Sequence, residues 1–171
     1  IEGNKKTGTD VEGSGAVLLL ENDGHANSTS MENCDLINNT SAKYAGALYV
    51  ASGTHSFTNC SITGNKAESS SSSIYGGGAY IEGGGTNTLT NCSITNNTAS
   101  SSYSAYGGGV YIGGGGTNTL TNCSVTGNTA SAAASSEVKA GGVYINGANT
   151  ALFGKTNITD NTIKKGSTSS D

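Results

Sequence analysis

Two stretches of this chain are nearly the same text. Residues 107–128 read GGGVYIGGGGTNTLTNCSVTGN, and residues 76–97 read GGGAYIEGGGTNTLTNCSITNN. Self-similarity at a near-fixed period constrains the fold more than any composition does, because each unit must bury its apolar face against the next copy. Weaker copies run the length of the chain. An aliphatic-x-x-Asn signature ends on Asn39, Asn65, Asn97, Asn128 and Asn161, with a first trace at Ile1 and Asn4. A second signature places Tyr49, Tyr80, Tyr111 and Tyr144 between aliphatic residues, each after a run of small residues. A third is Asn-Cys, at Asn33-Cys34, Asn59-Cys60, Asn91-Cys92 and Asn122-Cys123, with a decayed copy at residues 153–156. Successive cysteines fall 26, 32 and 31 positions apart.

Strands of three to five residues between Gly and Asn turns, without helical periodicity, predict an all-β parallel solenoid of about five coils with three short strands each. The 171 residues fit a single domain, residues 1–171, rising roughly 24 Å at about 4.8 Å per coil. Strand alternation sends Val110, Ile112, Leu120, Cys123 and Val125 inward and turns Tyr111 outward. Asn33, Asn59, Asn91 and Asn122 are expected at a tight corner, where Asn tolerates a left-handed backbone and can pass side-chain hydrogen bonds between coils. Asn39, Asn65, Asn97, Asn128 and Asn161 are expected to do the same at a second corner. The glycine runs are expected to turn corners. Residues 66–75, 98–106 and 129–140 read as low-complexity loops projecting from one edge, either a binding side or a fringe.

The motifs at this point resemble a known repeat. Ile62, Asn65 and Ala67 followed by Gly77, Gly78 and Ala79, and Ile94, Asn97 and Ala99 followed by Gly108, Gly109 and Val110, are similar to the paired motifs of polymorphic outer membrane protein (Pmp) repeats. An aliphatic residue stands where those repeats lead with an aromatic one. The resemblance covers nearly the whole chain. It implies a right-handed parallel β-helix, in a class that holds both adhesin passengers and pectate lyase-like enzymes. It further implies a cell-surface or secreted location and a structural or adhesive role in a stalk, appendage or filament.

Composition narrows the functional classes. The net charge is −4 and every cation is Lys, which argues against a nucleic-acid partner. No apolar run reaches the roughly 20 residues of a membrane span. The first residue is Ile rather than Met, and the chain starts and stops at one phase of the repeat. This reads as a window cut from a longer solenoid or as a subunit meeting copies of itself head to tail. The expected partners are therefore further copies or adjoining solenoid segments end to end, with glycans or host-surface molecules as adhesive partners.

The candidate chemistry is sparse. Cys34, Cys60, Cys92 and Cys123 have no CxxC spacing and no His nearby at ligand spacing, so the expectation is a column of buried thiols rather than a metal site or disulfides. Glu32 and Asp35 are the best carboxylate pair, but they lack the convergence a glycosidase needs, and His25 and His55 lack a paired nucleophile. No enzyme, metal or cofactor is expected. Tyr49, Tyr80, Tyr111 and Tyr144 would form an outward stripe able to pack sugar rings or a partner. A carbohydrate-active or carbohydrate-binding β-helix is thus the alternative function. The Ser/Thr columns, such as Ser93/Thr95 and Ser124/Thr126, also suit an ice-binding face. Asn27, Asn38 and Asn96 are the accessible N-glycosylation sequons.

Overall fold

Stacked copies of each signature become stacked strands in a computed structural model that describes residues 1–3, 5–6, 18–20, 28–146 and 150–166. All strand pairs are parallel and in register, forming a β-solenoid of about four turns without a helix among the described residues. The three sheets predicted from the repeats are present. One holds Leu18–Leu20, Leu48–Val50, Ala79–Ile81, Val110–Ile112 and Val143–Ile145. The next holds Ser28–Glu32, Thr54–Thr58, Thr86–Thr90, Thr117–Thr121 and Thr150–Gly154. The third holds Asp35–Ile37, Ser61–Thr63, Ser93–Thr95, Ser124–Thr126 and Asn157–Thr159.

Two further sheets occupy what reads as loop. Lys5–Lys6, Thr40–Ser41, Lys66–Ser69, Thr98–Ser101, Thr129–Ala132 and Thr162–Lys165 make a fourth sheet. Ile74–Tyr75, Ala105–Tyr106 and Val138–Lys139 make a fifth. The expectation of three strands per coil therefore gives way to as many as five. The extra strands escape notice because their inward residues are mostly small: Ala67, Ala99 and Ala130 are fully buried and pack with Ile74 and Ala105 in a small core of their own, and Ser41 and Ser101 are buried on the same sheet. Alanine buries little area, so its period-2 pattern is faint.

The main core lies between the first three sheets. Leu48, Val50, Phe57, Ile62, Leu89, Ile94, Ile112, Leu120 and Val125 fill it, and Cys60, Cys92 and Cys123 join them. The glycine runs separate this core from the alanine core, and here the corner expectation is incomplete. Gly76 and Gly107 do turn, at φ +75° and +66°. Gly77 instead crosses directly over the neighbouring backbone: a Cβ there would lie 2.1 Å from the Gly108 carbonyl oxygen and 2.4 Å from the Thr98 carbonyl carbon. The crossing recurs at Gly108 against Thr129 and at Gly141 against Thr162, so it forms a waist along the solenoid.

The asparagines form two ladders of opposite direction. At the outer corner Asn33, Asn59, Asn91 and Asn122 are left-handed, and each amide from Asn59 onward donates to the preceding copy at 3.1–3.2 Å. The second column sits inside rather than on a corner; the bend falls one residue earlier, at Asn38, Gly64, Asn96, Gly127 and Asp160. In the interior ladder the Asn65 amide donates to Asn97 Oδ1 at 3.0 Å and to the Leu36 carbonyl at 2.8 Å. Asn97 and Asn128 repeat both bonds one turn further on, ending at Asn161. Each receiving Oδ1 also accepts the backbone N–H of the preceding Asn, at 2.9–3.0 Å. Every side-chain donor and acceptor of the middle rungs is thereby used, which is the condition for burying an amide without penalty.

Candidate functional site

The four cysteines are free thiols, and the geometry gives them a structural task. Each Sγ donates to the carbonyl two residues back: Glu32 from Cys34, Thr58 from Cys60, Thr90 from Cys92 and Thr121 from Cys123. Cys92 and Cys123 also reach the previous coil, at Phe57 O and Leu89 O, both at 3.4 Å. Thr156 fills the same place in the decayed repeat, donating to Leu120 O at 3.0 Å. The position thus wants a small side chain with a donor. The neighbouring Cys123 thiol, and then burial, push the Cys92 thiol up, so it stays protonated.

The sequence-derived contact stripe is placed differently from expectation. Tyr49, Tyr80, Tyr111 and Tyr144 do point away from the main core in one in-register column, but the first three are only 5–7% exposed. A second column covers them. Tyr44, Tyr75, Tyr106 and Lys139 each stand five residues before a tyrosine of the first column. The fifth sheet carries Tyr75, Tyr106 and Lys139 over the first column. Without that sheet the stripe looks exposed, as it does from strand alternation alone. The recurring Tyr-x-x-x-x-Tyr spacing was the signal that could have revealed the pairing.

Seven of the eight tyrosines pack into this one cluster. Ring centroids lie 4.8 Å apart for Tyr80–Tyr111, edge to face, and 5.3 Å apart for the nearly parallel pair Tyr75–Tyr106. Beside the rings opens a polar cleft of about 430 Å³, rimmed by Glu82, Glu137, Lys139 and Asn146. The hydroxyl groups are oriented by these neighbours. Tyr49 donates to Glu82, Tyr106 donates to Glu137 Oε2 at 2.6 Å, and the Asn146 amide donates to the Tyr111 oxygen at 3.0 Å. Lys139 pairs with Glu137 at 2.7 Å and lies over the Tyr106 and Tyr144 rings at 6.0 and 5.8 Å.

Protonation states in the cleft follow from these contacts. Burial raises Tyr80, Tyr106 and Tyr111, and the adjacent carboxylates Glu82 and Glu137 raise the first two further, so the phenols keep their protons. Lys139, with help from Tyr106, holds Glu137 below the usual carboxylate range, and Glu137 in turn raises Lys139. The cleft therefore sets protonated phenols beside the Glu82, Glu137 and Lys139 side chains. Such a set can hydrogen-bond a hydroxyl-rich ligand.

The remaining candidates do not converge. Glu32 and Asp35 are exposed on either side of the Asn33 corner, and no group of three metal-ligating side chains occurs among the described residues. His55 is buried, with Nε2 2.8 Å from the Ser52 carbonyl, and stacks in register with Asn87 rather than with another histidine. His25 and Asn27 lie outside the described residues. Asn38 and Asn96 are exposed, and their side chains rise over Gly64 and Gly127, where a Cβ would come within 2.4 Å of the Asn oxygen. The Ser/Thr columns lie half-exposed on the second and third sheets.

No curated protein and no solved structure matches the chain. A family model described as a right-handed β-helix region matches residues 16–170, nearly the whole length. With that match added to the parallel, in-register coils, the chain belongs to the right-handed β-helix family.

Proposed function

We propose that this chain is a non-enzymatic segment of an extracellular or cell-surface solenoid, structural or adhesive in role. The observation that carries this reading is the interior asparagine ladder, unbroken from Asn39 to Asn161. Polar groups that elsewhere assemble sites are spent here on coil-to-coil bonds repeated at every turn, which suits a stalk that grows by adding coils. Adjoining solenoid segments or further copies of the chain, end to end, are the partners this reading entails. The Pmp-like motifs add the expectation of a surface location. The test is antibody labelling of intact cells of the source organism, combined with negative-stain electron microscopy of the parent protein. Labelling of unpermeabilised cells and elongated particles are expected. Labelling only after permeabilisation would overturn the location, and cleavage of polysaccharide with release of unsaturated ends would overturn the non-enzymatic role.

The tyrosine cleft favours a second reading, carbohydrate binding. Its hydroxyl and carboxylate lining of about 430 Å³ suits a short stretch of a neutral glycan, held by hydrogen bonds rather than by ring faces. Glycan-array binding that is lost in Glu82→Gln and Tyr106→Phe supports this reading. Binding unchanged by both substitutions would contradict it.

A further inference from the structure

We propose that Tyr75 and Tyr106 form an oxidative modification site, at which one-electron oxidation couples the two rings into a dityrosine that staples adjacent coils. The pair is set apart by geometry. Tyr75 and Tyr106 are register partners on parallel strands, so like-oriented side chains leave equivalent backbone positions. Their rings are 5.3 Å apart at 15°, the smallest interplanar angle in the cluster. Nearly parallel rings that leave equivalent backbone positions are the pair in this cluster best disposed to bring like ring carbons together. Tyr80–Tyr111 and Tyr75–Tyr111, at 89° and 78°, present an edge to a face instead.

The surroundings supply what phenol oxidation requires. Losing an electron makes a phenol strongly acidic, so the step is easiest where an acceptor already holds the proton. Tyr106 donates to Glu137, an exposed carboxylate that passes the proton to water. Tyr75 lines the same cleft and releases its proton to solvent there. Each phenol gives one electron to an external one-electron oxidant, of the kind a peroxidase generates from a peroxide. The two phenoxyl radicals join through the carbons ortho to oxygen, forming one C–C bond. The hydrogens on those carbons then shift to the oxygens and restore both aromatic rings. The net change is the loss of two hydrogens, which one peroxide converts to two waters. The contacts that join the other tyrosines, from Tyr44–Tyr80 at 5.6 Å to Tyr106–Tyr144 at 5.5 Å, allow an oxidising equivalent landing elsewhere in the cluster to reach this pair.

The biological use of such a staple rests on the proposed location outside the cell, where oxidants are available and a covalent bond along the solenoid axis would resist pulling. The chemistry does not depend on that location, so its test is separate. The whole chain is oxidised in dilute solution with a photogenerated ruthenium(III) tris-bipyridyl complex and persulfate. Dityrosine fluorescence and peptide mass mapping are then read. The expected result is a monomer lighter by two hydrogens, with the bond mapped to Tyr75 and Tyr106, absent from both Tyr75→Phe and Tyr106→Phe. The ring-conserving variants are checked for an unchanged circular dichroism spectrum. Glu137→Gln is expected to slow the reaction several-fold. Tyr103, which is 55% exposed, provides the control for coupling between molecules. Dityrosine that persists in Tyr75→Phe, disappears in Tyr103→Phe, or never forms within a monomer would overturn the proposal.

Discussion

Two polar columns run through the interior of this solenoid, and they differ in how completely they are satisfied. Asn65, Asn97 and Asn128 are buried with every amide hydrogen and oxygen engaged. His55, Asn87 and Asn118 are buried as well, on the second sheet, but His55 Nδ1, Asn87 Oδ1 and Asn118 Nδ2 have no partner among the described residues. One bond, from the Asn87 amide to Asn118 Oδ1 at 3.0 Å, links two members of that column. The first column keeps one residue type at all five rungs, and its amides reach carbonyls of the preceding turn. The second changes type from Thr29 to His55 to Asn87, Asn118 and Ala151, so no ladder can propagate. Stacking identical amides is thus insufficient by itself; each must also meet a backbone group freed by the adjacent bend.

The comparison can be broken most severely at its saturated side. Asn97→Leu leaves Ile62 O, Asn65 N and the Asn65 amide without their partner. At roughly 1–3 kcal/mol per orphaned group, urea unfolding should show a loss on the order of 4 kcal/mol. Gly78→Ala attacks the same ladder from outside, since a Cβ there would sit 2.9 Å from the Asn97 side-chain amide. Overpacking of this kind costs about 1–3 kcal/mol, and the midpoint should fall accordingly. The thiol column is less demanding. Cys92→Thr, copying Thr156, should stay within about 1 kcal/mol of wild type, whereas Cys92→Leu should lose roughly 1–3 kcal/mol by overpacking.

The smallest expected effect is at the cleft rim. Glu137 is depressed by Lys139, so its contribution to stability is present above the ordinary carboxylate pKa and fades as pH falls through its lowered folded value. Both side chains are about half exposed, so the slope is shallow. Thermal melts in acid should show a slightly steeper decline for wild type than for Glu137→Gln.

Much of this architecture is legible in the sequence because the rungs repeat their letters. The aliphatic columns, the Asn-Cys corner and the thiols without metal spacing all follow from register. The alanine strands do not, since Ala99 and Ala130 carry too little apolar area to announce a core. That gap hid the cleft, because Tyr75 and Tyr106 reach Tyr80 and Tyr111 only through the fifth sheet. The interior position of Asn97 is hidden for another reason: Asn96, beside it, takes the left-handed bend, and the two letters are the same.

The sharpest test lies on the unsaturated side. Replacing Asn87 and Asn118 together by Leu removes two orphaned atoms and the one bond between them, in a core already lined by Leu89 and Leu120. If saturation rather than burial of asparagine holds the solenoid together, the urea midpoint of this double variant lies at or above that of wild type. A fall comparable to that of Asn97→Leu would contradict the account.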